Sequence, residues 1–270
     1  MNADEKRGVN RIVSEAVLIQ DYGSFPALVE NREAAGRIVL VCEHASCRIP
    51  EAWGGLGLAD DAARAHVAWD PGALDLARGL AARLDACLVH AAVSRLVHDL
   101  NRSPDHPGAM PARSELFDIP GNATISPAER LARMRAVYIP FHTDLHGVIA
   151  QRLALGLRPV IVTIHSFTPV YFGQPRDVEF GIIHDTDDRF ARAVLQNAPQ
   201  AMVARLNQPY SAADGVTHTL RLHATPYGLA HAMLEIRNDL IATPAAAAAM
   251  ADRLAPCLRG ALADTNQGED

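Results

Sequence analysis

Five short apolar runs, alternating with stretches of helical spacing, constrain this chain more than any other feature. GRIVLVCEH (36–44) is rich in β-branched residues and bounded by glycine, the pattern of a buried strand. CLVHAAVS (87–94), RPVIVTIHS (158–166), FGIIHD (180–185) and AHAMLEIRND (230–239) are further strand candidates. PGALDLARGLAARLDA (71–86) sets apolar residues at helical spacing behind a first-turn proline. SPAERLARMRAVYIPFH opens with Ser126, Pro127 and Glu129, a capping-box start. Pro140 should break or kink that helix before TDLHGVIAQRLALG (143–156) continues it. DDRFARAVLQNA (187–198) and TPAAAAAMADRLAPCLRGAL (243–262), the latter capped by Thr243, add two helices. Alternation of this kind predicts an α/β fold with a central, mostly parallel mixed sheet flanked by helices.

The 270 residues suffice for one large domain, and no repeat or Gly/Ser linker divides them, so a single domain over 1–270 is expected. Hydrophobic residues make up 49% of the chain, enough for a substantial core. A net charge of -6, with both signs intermixed, argues against a nucleic-acid or membrane-surface binder. The stretch MNADEKRGVNRIVSEAV (1–17) lacks the apolar segment of a signal peptide. No window approaches the roughly 20 apolar residues of a membrane span, so a soluble cytoplasmic protein is expected. Cys42, Cys47, Cys87 and Cys257 form no CxxC pair and read as reduced structural thiols. The absence of a GxSxG elbow, a Walker loop and a strand-borne GxGxxG removes the main support for serine hydrolases, P-loop enzymes and Rossmann dehydrogenases.

In open α/β sheets, ligands bind beyond the carboxyl ends of the strands. The polar residues at such ends are Glu43 and His44, Asp99 with Asn101 and Arg102, His165 and Ser166, His184 and Asp185, and Glu235 and Arg237. Two neutral imidazoles at adjacent strand ends, His44 and His165, suit zinc; the alternative is two histidines that only hydrogen-bond at strand termini. Asp70 is a candidate third ligand, although Asp followed by Pro71 also reads as a helix cap. His66, four residues earlier, competes for that role. His142 and His146 share a helix face, but Thr143 stands where the HExxH motif has glutamate. His142 is nevertheless expected to face the pocket. Arg95, Asp99, Asn101 and Arg102 cluster in SRLVHDLNR, where an arginine fork suits a substrate carboxylate and the alternative is a surface ion pair. In LEIRNDLI, Glu235 is either a general base or half of an exposed edge-strand pair with Arg237. Cys42 reads as core filling, and Glu43 as a support for a neighbouring ligand.

The ordered motifs CEHASCRIP, HVAWDPGALDLARGLA, SRLVHDLNR, YIPFH, IHSFTP and LEIRNDL resemble the N-formylglutamate amidohydrolase family, from about residue 36 to about 241. The resemblance implies a single α/β domain related to the zinc carboxypeptidases (phosphorylase/hydrolase-like). It also implies hydrolysis of N-formyl-L-glutamate to formate and L-glutamate, a step of histidine catabolism. One zinc ion per chain would be held by His44, Asp70 and His165. HSFTP is similar to the stretch that carries the second zinc histidine of carboxypeptidases. Their HxxE spacing is absent here because position 47 is Cys47; the resemblance to the muramoyl-amidase relatives, which have a later glutamate at the start of a helix, implies Asp70 in that place, with His66 and His142 as alternatives. Glu235 fits the catalytic glutamate that takes a proton from water and later delivers one to the leaving amine. Asn101 and Arg102 resemble the pair that grips a substrate carboxylate, with Ser46 and Arg237 as further binding residues. Arg95 or His142 would stabilise the oxyanion. Two rival readings are another zinc amidohydrolase or carboxypeptidase-like activity, on a different N-acylamino acid or peptidoglycan fragment, and a non-catalytic module that binds acidic ligands.

Overall fold

All five apolar runs form strands, and two shorter strands join them in one seven-stranded sheet. The computed structural model describes residues 20–266, so the stretch 1–17 read above lies outside the described residues. In chain order the strands are β1 (Leu28–Glu30), β2 (Ile38–Cys42), β3 (Cys87–His90), β4 (Val160–Phe167), β5 (Phe180–Ile183), β6 (Ala204–Leu206) and β7 (His231–Arg237). Their spatial order is β1-β3-β2-β4-β7-β5-β6. The middle four, β3, β2, β4 and β7, run parallel. At the two flanks, β1 is antiparallel to β3 and β5 is antiparallel to β7.

The helices that cover this sheet are α1 (Ala73–Leu84), α2 (Pro127–Arg133), α3 (Ile139–Ala154), α4 (Arg189–Gln196), α5 (His218–His223) and α6 (Pro244–Asn266). Side chains alternate across the sheet with period two. Ile38, Leu40 and Cys42 of β2 pack with Leu76 and Leu80 of α1, Phe190 of α4 and Leu254 of α6. Val39 and Val41 pack on the other face with Phe141, Leu145 and Ile149 of α3. Burial on both faces explains why β2 is a continuous apolar run rather than an alternating one. The result is a single α/β domain with a mostly parallel mixed sheet between helical layers.

Local signals hold where the chemistry is unambiguous. Ser126 Oγ accepts from Glu129 N at 3.1 Å, and Thr243 Oγ1 accepts from Ala246 N at 3.2 Å; the capping box expected at Ser126 is only half made, because the Glu129 carboxylate accepts from Arg133 Nε and Tyr22 Oη instead. Pro140 has no N–H to continue the helical ladder, and the helix takes a π turn over Met134–Tyr138 before resuming as α3. Among the described residues, no helix is long and apolar enough to cross a membrane.

The antiparallel course of β5 corrects one expectation. His184 and Asp185 follow its last residue, but Ile183 pairs with Met233 near the start of β7, so both lie at the opposite edge of the sheet from His44 and Ser166. Asp185 is engaged there by Thr217 Oγ1 and Arg221 Nη2 at 2.9 and 2.8 Å. In the same strand, Gly181 pairs with Glu235. A Cβ at Gly181 would stand 2.1 Å from Gln208 O and 3.1 Å from Glu235 Cβ. Gly181→Ala should therefore force backbone apart and destabilise the protein by about 1–3 kcal/mol, read from denaturant midpoints. An unchanged midpoint would show that the loop carrying Gln208 yields freely.

Candidate metal centre and active site

The centre is assembled where β2 and β4 end side by side. His44 follows β2 by two residues, and its carbonyl accepts from Asp70 N at 2.9 Å. That bond draws the Asp70 turn against the strand end. Helix α1 begins only at Ala73, behind Gly72, whose φ of 78° is left-handed. A Cβ at Gly72 would meet Ile241 O at 2.2 Å, so the tight turn depends on glycine. Asp70 consequently lies outside the helix, and the N-cap reading fails: its carboxylate makes no cap bond to α1. Asp70 Oδ2 instead lies 2.9 Å from His165 Nδ1, 3.3 Å from His44 Nδ1 and 3.3 Å from Ser166 N. His165 Nδ1 and His44 Nδ1 are 3.1 Å apart. One donor atom from each of His44, Asp70 and His165 lies within 4.8 Å of the others, and all three residues are buried.

Both imidazoles turn Nδ1 to the centre and Nε2 to a carboxylate. His44 Nε2 is 2.8 Å from Asp99 Oδ1. Asp99 in turn accepts from Arg95 Nη2 at 2.6 Å and Asn101 N at 2.9 Å. His165 Nε2 is 3.2 Å from Glu43 Oε2, an ion-pair contact whose alignment is too poor for a hydrogen bond. A carboxylate behind the outer nitrogen is how metal-binding histidines are oriented. Two inward Nδ1 atoms cannot both be satisfied by each other, since only one proton fits between them. A divalent cation uses both lone pairs and the Asp70 oxygen at once, so this donor set fits a metal without redirecting any side chain.

The charges agree. Burial opposes ionisation of Asp70, but His44 and His165 outweigh it and hold the carboxyl well below its ordinary range. Burial likewise opposes ionisation of Asp99 and is outweighed by Arg95 and His44. Burial disfavours a charged His165, yet Glu43 and Asp70 raise its pKa well above normal. For His44, burial and then Arg95 disfavour the cation, but Asp99 and Asp70 raise the pKa overall.

A cavity of about 440 Å³ opens onto this group and is lined by His44, Asp70 and His165 together with Arg95, Arg102 and Glu235. Glu235 is the register partner of His165 across β7 and β4. Strand β7 is internal, between β4 and β5, so the exposed-edge reading of Glu235 does not hold. Its Oε2 is buried without a hydrogen-bond partner. Burial pushes its pKa up to about 7, with His165 opposing.

Other expectations need correction. His142 lies outside the cavity lining, with Nδ1 2.8 Å from His223 Nε2 and Nε2 3.0 Å from Leu100 O, so both ring nitrogens are already satisfied in the core. Ser46 is also outside, its Oγ accepting from Arg48 N at 3.1 Å. Arg237, the last residue of β7, binds Asp239 at 2.8 Å rather than facing the cavity. Asn101 lines the cavity, but its carboxamide is committed: Nδ2 donates to Val216 O at 2.5 Å, and Oδ1 accepts from Thr219 N at 3.0 Å. It positions the 216–219 segment. His66 reaches the cavity paired with Glu115 at 2.8 Å, apart from the His–Asp–His group. The buried role of Asp99 was obscured because an Arg-x-x-x-Asp spacing also fits a surface pair; its apolar neighbours Leu96, Val97 and Leu100 were the available signal. Tyr210 and Arg176, beside the cavity, carry no local motif at all.

Comparison with known proteins adds identity to this geometry. The family model for N-formylglutamate amidohydrolase matches residues 36–242. A crystal structure of a gene product of Agrobacterium tumefaciens is 51% identical, with a TM-score of 0.88, over 90% of this chain and 97% of that one. An N-formylglutamate amidohydrolase from Ralstonia eutropha is 18% identical, with a TM-score of 0.55, over 90% of this chain and 99% of that one; at this identity it shares the fold alone. No curated protein matches the chain. A match that spans six of the seven strands, the His–Asp–His group and the cavity wall together means that the chain belongs to the N-formylglutamate amidohydrolase family.

Proposed function

We propose that this protein is a zinc-dependent amidohydrolase that cleaves the formamide bond of N-formyl-L-glutamate, giving formate and L-glutamate. The proposal includes one zinc per chain, a zinc carboxypeptidase-like origin and a cytoplasmic setting. The observation that carries it is an unpartnered, buried glutamate beside a convergent His–Asp–His group in one cavity. His44, Asp70 and His165 would hold the ion. When bound, zinc supplies Lewis acidity, which makes water nucleophilic at neutral pH and polarises an amide carbonyl.

The chain's own residues do the rest. Glu235 Oε2 is free to take the proton of the attacking water and return it to the leaving amine. Its pKa of about 7 suits both directions of transfer, and a cation nearby favours the carboxylate form that must act first. Arg95, clamped on Asp70 and Asp99, presents a fixed positive charge to the developing oxyanion. Arg102, whose Nη1 donates to the Asp214 carbonyl at 2.6 Å, grips the substrate α-carboxylate. Zinc-loaded protein should release formate from N-formyl-L-glutamate, and chelation should abolish the release. Zinc-loaded protein that is inert toward N-formyl amino acids would overturn the reading.

Proton release gives a second test. The pKa of His165 is held well above its ordinary value and that of His44 is raised, so without the ion each keeps its proton to a higher pH than a free imidazole does. Coordination needs both Nδ1 lone pairs, so metal binding must displace those protons. Affinity should therefore rise with pH through neutrality. Calorimetry in buffers of different ionisation enthalpy should register the release; a buffer-independent heat would contradict the assignment.

A further inference from the structure

The arginines around the cavity differ in how their charge is met. Arg95 is engaged by Asp70 and Asp99, and Arg113 by Asp118 at 3.0 Å. Arg102 donates to a carbonyl. Arg176 stands just behind the wall, with Nη2 donating to Tyr210 Oη at 3.1 Å and Nη1 to Thr168 O at 3.4 Å. Its guanidinium carbon lies 4.3 Å from the Tyr171 ring, 5.1 Å from Tyr210 and 5.5 Å from Phe167. All three rings line the cavity. Among the described residues, neither Arg102 nor Arg176 forms an ion pair with a carboxylate. Aromatic faces temper the charge of Arg176 but give its N–H groups no anionic acceptor.

Tyr210 connects this cation to the cavity. Its oxygen accepts from Arg176, which leaves its own hydrogen to donate elsewhere. Burial, then the nearby Glu235 charge, push its pKa to about 12, so the phenol keeps that hydrogen. A hydroxyl polarised by a guanidinium and standing on the cavity wall is a strong donor to an anion.

We propose that Tyr210 and Arg176 form the subsite for the substrate's side chain and select a carboxylate there. Arg102 takes the α-carboxylate, and the two carboxylate-free cations match the two carboxylates of an N-acyl dicarboxylic amino acid. The assignment rests on the amidohydrolase reading but is testable apart from it.

The test compares N-formyl-L-glutamate with N-formyl-L-glutamine, which differ in charge at nearly constant shape, and the free amino acids L-glutamate and L-glutamine as ligands. Wild-type protein should favour the glutamate member of each pair by about 10-fold or more, the worth of a charged hydrogen bond. Arg176→Gln should bring both ratios toward one, and Tyr210→Phe should lower them while keeping the ring. Zinc content and thermal midpoint report whether each variant is folded. Equal preference in the wild type, or ratios unmoved by both substitutions, would overturn the subsite. Calorimetric preference for L-glutamate that Arg176→Gln removes, with no turnover of either formyl substrate, would sink the hydrolase reading and leave the subsite standing.

Discussion

Glu235→Gln should lower kcat for N-formyl-L-glutamate by about 10²–10⁴-fold while zinc content stays near one per chain. The reasoning is steric and electronic. Glutamine fills the same place between β4 and β5, opposite His165 and Gly181, so the centre keeps its shape. It cannot accept and return a proton. The carboxyl is the cavity-lining acid whose pKa is lifted toward neutrality, because burial outweighs the attraction of His165. A variant with wild-type kcat would remove Glu235 from the chemistry. One that also lost zinc would mean the side chain supports the ion instead.

His165→Ala should have two separable effects. The first is loss of bound metal, because one of three convergent donors is gone. The second is loss of stability. Glu43 is fully buried, and His165 is the ion-pair partner that keeps it charged. Removing one partner of a buried pair typically costs about 3–5 kcal/mol. The double variant His165→Ala with Glu43→Gln removes the stranded charge. It should recover most of the stability, measured by denaturant unfolding, and still bind no zinc at stoichiometry. Recovery of zinc in the double variant, or full zinc content in His165→Ala alone, would refute the assigned ligand.

The expectations that held concern residues whose own chemistry decides their position. β2 and β4 are apolar on both faces, so their runs were continuous and visible; Ser126 and Thr243 cap because a hydroxyl beside an open helix end has few better partners. The three-residue strands β1 and β6 are too short to show a period. Strand direction leaves no mark in a short apolar run, so His184 and Asp185 were assigned to the wrong edge. His142 shows the limit of spacing arguments. Its helix face is real, but His223 and the Leu100 carbonyl are separated from it by 81 and 42 residues, and their approach is a tertiary event. Asp70 was ambiguous for the opposite reason. Its local Asp-Pro-Gly pattern fits a helix start, and only the left-handed Gly72 moves the helix on and frees the carboxylate for the histidines.

The proposed chemistry depends on a zinc ion held by His44, Asp70 and His165. Anomalous diffraction across the zinc edge, from crystals of the zinc-loaded protein, tests it most directly. One strong peak per chain is expected, about 2.0–2.2 Å from His44 Nδ1, His165 Nδ1 and an Asp70 oxygen, with Glu235 facing it across the cavity. No peak there, or zinc held by other side chains such as His66 and Glu115, would contradict it.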